Sequence, residues 1–196
     1  MPTLRERCFW CGNDPVYVAY HDEEWGVPVL DDRALFEKLV LDGFQAGLSW
    51  ITILRKRDAF RTAFREFDPL KVARFNERDV TRLLQNEKIV RSRAKINGAI
   101  KNAQMWIALM DGGDGAFRDF LWKHVDHRTK LNQLRGREDI EAETTESRAM
   151  AKDLKKHGFS FCGPTICYAF MQAVGMVNDH LVTCDRHRTI EKIARR

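Results

Sequence analysis

Apolar residues along this chain recur mainly three and four positions apart, which is the spacing of one face of an α-helix. Seven segments show this spacing, at about residues 32–42, 48–66, 77–86, 90–110, 116–125, 144–157 and 164–174. Alternating patterns typical of strands are nearly absent from the sequence. The pattern therefore predicts an all-α protein.

The residues between these segments indicate how the chain is organised. The first thirty residues are aromatic with little helical periodicity, and 126–143 is a polar connection. Because no low-complexity linker divides the chain, we expect one domain over residues 1–196. Within it we expect two helical lobes, one built from the terminal segments and one from the central helices at about 32–110.

The junction between the first two helical segments has an unusual composition. Residues 41–50 read LDGFQAGLSW, where a polar loop would be ordinary. Gly43 and Gly47 permit a tight reversal between the helices. Asp42 falls near the end of the first helix, where the helix dipole disfavours an anion. This mixture suits a binding pocket, although an ordinary helical hairpin with a solvated Asp42 and a buried Trp50 fits the same pattern.

The composition excludes several classes of protein. The chain of 196 residues is 44% hydrophobic and 31% charged, which is globular rather than disordered or fibrous. No apolar run approaches the roughly 18 residues needed to cross a bilayer, and the N-terminus has no apolar signal segment. We therefore expect a soluble, cytoplasmic protein without a membrane partner. Nothing in the pattern indicates an obligate oligomer, so a monomer is expected.

Positive charge is concentrated in two places. The net charge is +5, and five basic residues each lie in Arg55–Arg65 and Lys88–Lys101, the latter without any acid. Residues 86–95 join two helices by a short turn and place Arg91, Arg93 and Lys95 near a helix start. Free backbone N–H groups at a helix N-terminus bind phosphate well. The turn is thus a candidate phosphate contact, and a solvated basic helix face is the alternative.

Cysteine and histidine spacing suggests a metal site. The five cysteines, an odd number, argue against a disulfide framework. His180 and Cys184 are four residues apart, so on a helical turn their side chains would face the same way. With Cys8 and His21 they would form a closed Cys2His2 site with a structural zinc, although most His-Cys pairs at this spacing bind no metal. The alternative pairing of Cys8 with Cys11 would be a redox motif or half of a zinc ribbon.

Aromatic residues gather in sequence around the N-terminal segment and the 41–50 junction. They are Trp10, Tyr17, Tyr20, Trp25 and Trp50. Aromatic residues more often form core than binding sites, but here an acid lies in the same neighbourhood. An anion among aromatic faces suits a flat, cationic, hydrogen-bonding ligand such as an alkylated nucleobase.

Taken in order, these motifs resemble the DNA-3-methyladenine glycosylase I family of the helix-hairpin-helix DNA glycosylase superfamily. The resemblance runs collinearly from about residue 8 to residue 184. The residues that carry it are Cys8, Trp10, Asp14-Pro15, Tyr20–Asp22, Glu24–Pro28, Gln45–Trp50, Thr165–Tyr168, Phe170–Ala173, Val177–His180 and Cys184.

The resemblance implies an all-helical repair enzyme that flips a damaged nucleotide out of double-stranded DNA and hydrolyses its bond to alkylated adenine. A structural zinc would join the two chain ends through Cys8, His21, His180 and Cys184. The base would be contacted by Asp42, Trp50, Tyr20 and Trp10. The gap left in the duplex would be reached by Gln45, Gly47 and Leu48. The phosphates would be bound by a hairpin at about 86–95 with Lys88, Arg91, Arg93 and Lys95.

The chain departs from the family pattern in its pocket and in its hairpin. Asp42 stands where the family typically has Glu, and Glu87-Lys88 stands where a glycine is common. The predicted function is an N-glycosylase that removes 3-methyladenine from alkylated DNA. The alternative is a DNA protein that binds lesions on the same scaffold, with weak or altered base specificity because of Asp42. A third reading is a small zinc-containing interaction module using Cys8 and Cys11.

Overall fold

Ten α-helices account for most of the described part of the chain in the computed structural model, which covers residues 6–195. In chain order they are α1 (Pro15–Glu23), α2 (Asp32–Gln45), α3 (Trp50–Ala63), α4 (Pro69–Val72), α5 (Glu77–Gln85), α6 (Arg93–Met110), α7 (Ala116–Trp122), α8 (Thr145–Lys156), α9 (Pro164–Ala173) and α10 (Asp185–Ala194). The prediction of an all-α protein is confirmed. Within residues 6–195, none of the helices combines the length and the apolar composition needed to cross a membrane.

Short elements fill some of the connections. Single 3-10 turns occupy Phe9–Cys11, Lys123–Val125 and Arg137–Asp139. Two-residue strands, β1 (Lys130–Leu131) and β2 (Val177–Asn178), pair in parallel with Lys130 opposite Val177. The connection over 126–143 is therefore tied to the C-terminal part of the chain.

Side-chain caps explain where several helices begin. The Asp14 carboxylate accepts backbone hydrogen bonds at the start of α1, and Asp31 accepts one from Ala34 at the start of α2. Asn76 and Thr144 form capping boxes at the starts of α5 and α8. These bonds satisfy N–H groups that have no partner within their own helix.

Helix α2 lies at the centre of the packing, in contact with α3, α6, α7 and α9. Its Leu35, Phe36, Leu39 and Leu41 are fully buried. Because helices cover it on several sides, Asp42 is also inside the protein, with an exposed fraction of 0%. The reading of residues 41–50 as an ordinary hairpin with a solvated Asp42 is therefore wrong.

The reversal after α2 depends on one glycine rather than two. Helix α2 continues through Gly43 to Gln45, and only Gly47 of the two glycines has a positive φ, of 80°. Gly43 instead allows Phe161 to pack closely against α2, because a Cβ at residue 43 would lie 3.2 Å from the Cβ of Phe161. The prediction that Gly43 forms the reversal is corrected to a packing role.

Helices α1 and α10 lie where the apolar pattern predicted none. Helix α1 buries only Tyr20 and His21, and α10 buries only His187 and Ile190. So few buried positions leave no repeat for a periodicity argument to detect. The N-terminal segment, predicted to be irregular, thus contains a capped helix.

The two ends of the chain pack against each other. The N–H of Val29 donates to the carbonyl of Val174 at 3.0 Å, and the N–H of Asp185 donates to the carbonyl of Glu6 at 3.1 Å. A Cβ at Gly175, where φ is 72°, would lie 2.5 Å from the backbone of Val27. The closest approach of the two segments therefore requires glycine at this position.

Candidate active site and metal cluster

A cleft of about 420 Å³ collects the residues that were predicted to contact a base. Its lining includes Trp10, Tyr20, Asp42 and Trp50, and also Gln45. These residues come from the N-terminal 3-10 turn, α1, α2 and the start of α3, so only the tertiary fold brings them together. The volume is in the range of small-molecule sites.

Aromatic side chains form much of the wall. The Tyr20 and Trp50 rings are 5.5 Å apart and tilted by 46°. Trp10 makes edge contacts with Tyr20 at 6.4 Å and with Trp25 at 4.9 Å. Aromatic faces carry partial negative charge, so these walls favour a flat ligand and, in particular, a cationic one.

Among residues 6–195, Asp42 is one of two acids in the lining of the cleft. Its Oδ1 accepts a hydrogen bond from the ammonium group of Lys38, one turn earlier on α2. Its Oδ2 is buried and has no hydrogen-bond partner among residues 6–195, and the same holds for Nε1 of Trp50. A buried polar atom without a partner costs about 1–3 kcal/mol. Two residues of the cleft thus each have a polar group that a ligand can satisfy.

Lys38 is a site residue that the sequence analysis did not identify. Its Nζ lies 3.9 Å from the centroid of the Trp50 ring, in addition to its contact with Asp42. Burial raises the pKa of Asp42, and the charge of Lys38 opposes that rise. Burial also lowers the pKa of Lys38, and Asp42 opposes that change. The spacing of four residues on one helix was the feature that could have revealed the pair.

Another acid, Asp179, belongs to the wall of the cleft. Its Oδ2 accepts hydrogen bonds from the Tyr168 hydroxyl at 2.6 Å and from Gln172 Nε2 at 2.8 Å, and its Oδ1 accepts one from Asn132 Nδ2 at 2.7 Å. Both oxygens are satisfied, so this carboxylate holds the wall together. Sequence reasoning missed it because its partners come from separate segments.

The four predicted metal ligands meet in a buried cluster. One donor atom each from Cys8, His21, His180 and Cys184 lies within 4.8 Å of all the others. The Cys184 Sγ is 3.5 Å from His21 Nε2 and 3.6 Å from His180 Nδ1, and the Cys8 Sγ is 3.6 Å from His180 Nδ1. In a tetrahedral zinc site, bonds of about 2.3 Å to sulfur and 2.0–2.1 Å to nitrogen give S···N separations of about 3.6 Å. The donors are thus spaced to hold a metal ion.

The remaining ring nitrogens of both histidines have hydrogen-bond partners. His21 Nδ1 is 2.8 Å from Oδ1 of Asp22, and His180 Nε2 is 3.1 Å from the carbonyl of Trp25. Arg7 and then His21 lower the pKa of Asp22 to about 2. When these nitrogens carry the proton, the lone pairs of the other two point into the cluster, as in histidines that bind metals.

Two details of the cluster differ from the sequence-based expectation. His180 and Cys184 do not share a helical turn, because Cys184 is the residue that precedes α10. The hydrogen bond between the two thiols lowers the pKa of Cys184 and raises the pKa of Cys8, whereas a metal ion would bind both as thiolates. Cys11 lies outside the cluster, with its thiol 3.2 Å from the carbonyl of Cys8. The structure therefore does not assemble a Cys8–Cys11 metal site.

The loop after α2 lies beside the cleft. Gly47 and Leu48 are exposed, Leu48 to 42%, while Gln45 is half-buried in the cleft wall. The Lys95 ammonium donates to the carbonyls of Phe44 at 2.9 Å and Ala46 at 2.6 Å. Lys95 thus binds the C-terminal end of α2. Two of the three donors of its ammonium are used in this way, and the contact of Lys95 with phosphate stays a prediction.

Residues 86–92 connect α5 to α6. Lys88, Arg91 and Arg93 are exposed there. Arg91 pairs with Glu87 at 3.5 Å, and Arg93 pairs with Glu77 at 2.5 Å. The Lys56 ammonium donates to the carbonyls of Glu87 and Lys88, at 3.2 Å each, and so holds the turn.

Comparison with known proteins places this arrangement in a family. A sequence profile described as methyladenine glycosylase matches residues 10–187. The chain belongs to the methyladenine glycosylase family. This glycosylase is 50% identical over 179 residues to DNA-3-methyladenine glycosylase 1 of Escherichia coli. The alignment covers 91% of this chain and 95% of that protein.

Solved structures support the same assignment. A crystal structure of 3-methyladenine DNA glycosylase I superposes on this glycosylase with a TM-score of 0.90 at 51% identity, covering 92% of this chain and 98% of that one. A substituted 3-methyladenine DNA glycosylase I in complex with 3-methyladenine superposes with a TM-score of 0.87 at 37% identity, covering 91% and 96%. The family, the fold and the class of enzyme predicted from the sequence are thereby confirmed.

Proposed function

We propose that this glycosylase removes 3-methyladenine from double-stranded DNA, as a monomer in the cytoplasm. The observation that carries the proposal is Oδ2 of Asp42, a buried acceptor without a partner within residues 6–195, in a cleft walled by Tyr20 and Trp50. The relatives are named for this activity, and one related structure holds 3-methyladenine. Release of the free base from methylated duplex DNA tests it.

The reaction depends more on recognition of the methylated base than on acid catalysis. Methylation at N3 makes the adenine cationic, so the base can leave with the electron pair of its bond to the sugar and become neutral. Water then adds to the sugar carbon and loses a proton to solvent. Asp42 accepts a hydrogen bond from the base and stabilises its positive charge, while Tyr20, Trp50 and Trp10 contact its ring. Unmodified adenine leaves poorly, which adds to the selectivity.

The Cys8, His21, His180 and Cys184 cluster is proposed to hold a structural zinc ion. Four protein donors leave no position for a reactive water. The ion would therefore make the fold more rigid and take no direct part in the reaction. His21 follows Tyr20 on α1, and Cys8 is two residues from Trp10. Fixing the cluster therefore also fixes two aromatic walls of the cleft.

DNA is proposed to bind across the loop after α2 and the α5–α6 hairpin. Leu48, which is exposed at the tip of that loop, would enter the gap left by the flipped nucleotide, with Gln45 and Gly47 beside it. Lys88, Arg91 and Arg93 would contact phosphates, as in a helix-hairpin-helix motif. Lys95 contributes indirectly by holding the end of α2 from which the loop departs.

Replacing both Arg91 and Arg93 with Ala is expected to flatten the salt dependence of duplex binding. Each phosphate contact contributes about 0.9 to the slope of log K against log salt, so the slope should fall by about 2. Titrations of fluorescent duplex DNA at several salt concentrations measure it. Lys155→Ala with Lys156→Ala, at the exposed end of α8, removes the same charge and serves as the control. An equal change in both double variants would count against the hairpin.

A further inference from the structure

The cleft already contains a positive charge that the proposed reaction does not use. The Lys38 side chain is only 15% exposed, and its ammonium contacts Asp42 and lies 3.9 Å from the Trp50 ring centroid. These are the acid and one of the rings proposed to receive the cationic base. Lys38, Tyr20 and Trp50 also line a second cavity of about 170 Å³, so Lys38 lies in the partition between two cavities.

The position of Lys38 changes what Asp42 can do. A carboxyl group that is fully buried without a counter-ion tends to take up a proton, and it then loses the charge that attracts a cation. The ammonium of Lys38 favours the ionised form. It also occupies Oδ1, so Oδ2 is the one oxygen of Asp42 without a partner within residues 6–195. A base can therefore donate its hydrogen bond to one oxygen of Asp42, Oδ2.

We propose that Lys38 is a positioning residue that keeps Asp42 ionised and leaves Oδ2 alone to accept a hydrogen bond from the flipped base. The inference rests on the proposed function of the cleft. The hydrogen bond to Oδ2 needs a donor on the base and no charge, so a neutral methylated purine can make it as well as a cationic one. Free 3-methyladenine is thus a suitable probe.

Other titratable groups near the pair do not confuse the test. The groups that face it are Tyr20 from α1, Glu24 just after α1, Arg57 from α3, Cys162 from the connection before α9, and Cys167 from α9. Arg57 is paired with Glu24 at 2.5 Å. Burial raises the pKa of Tyr20 and of both thiols, which therefore stay uncharged between pH 5 and 9. Among the described residues, Asp42 is therefore the titratable group whose ionisation depends on Lys38.

The experiment measures the affinity of the folded enzyme for free 3-methyladenine by calorimetry between about pH 5 and pH 9. The native chain is compared with Lys38→Met, Lys38→Gln and Lys38→Arg. Lys38→Met combined with Asp42→Asn is the reference, because neither partner of the pair then titrates and the remaining pH dependence reports the ligand. The raised pKa of Asp42 means that binding is present above that pKa and is lost as pH falls through it.

In both neutral variants at Lys38, the pH at which binding is lost on acidification is expected to rise by about one unit or more. At a pH below this new midpoint, binding should be weakened about tenfold relative to the native chain. Lys38→Arg keeps the charge and should keep the native midpoint. Affinity that changes by one factor at every pH, with unmoved midpoints, would overturn the inference. If the native chain neither binds free 3-methyladenine at any pH nor releases it from methylated duplex DNA, the proposed function itself fails, and the two failures are thereby distinguished.

Discussion

Cys184→Ser is expected to remove the metal ion from the protein and to lower its melting temperature by roughly 4–16 °C. A metal ion bound by the cluster would join the two ends of the chain, much as a disulfide would, and such a cross-link is worth about 2–4 kcal/mol. At this chain length each kcal/mol corresponds to roughly 2–4 °C. Metal content by atomic emission and thermal unfolding by circular dichroism give the two quantities.

A matched control lies close to the cluster. Cys11 is as buried as Cys8 and only three residues away, but its thiol faces a backbone carbonyl. Cys11→Ser should therefore retain about one metal ion per chain and a melting temperature near that of the native protein. Undiminished metal in Cys184→Ser, or equal loss in Cys11→Ser, would contradict the assignment of the four ligands.

Trp50→Ala is expected to lower kcat/KM for base release from methylated DNA by roughly ten- to a hundredfold. Trp50 begins α3 and forms the aromatic wall nearest Lys38 and Tyr20. Stacking of a base on an aromatic side chain is worth about 1–3 kcal/mol, and each 1.36 kcal/mol is a factor of ten. Single-turnover release of the free base measures the loss.

Trp50→Phe tests whether the aromatic face is what matters. Phenylalanine retains a ring but removes the indole N–H that has no partner within residues 6–195. It should recover most of the activity lost in Trp50→Ala. Binding of undamaged duplex DNA should be similar in both variants, because the loop at Leu48 and the hairpin are unchanged. Full activity in Trp50→Ala would exclude stacking on this residue.

Much of the fold was visible in the sequence because its long helices bury continuous apolar faces. Helices α5 and α8 lie within a residue or two of their predicted bounds, since Asn76 and Thr144 cap them. The residues of the cleft and the cluster were also predicted, from the family resemblance and from ligand chemistry. The order of these residues along the chain does not show which of them are close in space. Only the tertiary fold shows that they lie together.

What the sequence did not predict depends on contacts between segments. The contact of Lys95 with the end of α2 was not predicted, because the carbonyls that it binds become available only where α2 ends beside α6. Lys38 was overlooked because a lysine on a helix is ordinarily solvated, and here α2 is covered by its neighbours. The division into two lobes and the monomeric state stay predictions.

The central claim is that this chain is a glycosylase whose shorter pocket acid, Asp42, suffices for 3-methyladenine. The direct measurement is release of free 3-methyladenine from methylated duplex DNA by the native chain, Asp42→Asn and Asp42→Glu. The account predicts release by the native chain and at least about tenfold slower release by Asp42→Asn, because the lost contact is a hydrogen bond to a charged group worth about 1.5–3 kcal/mol. No release by the native chain, with release appearing in Asp42→Glu, would contradict it.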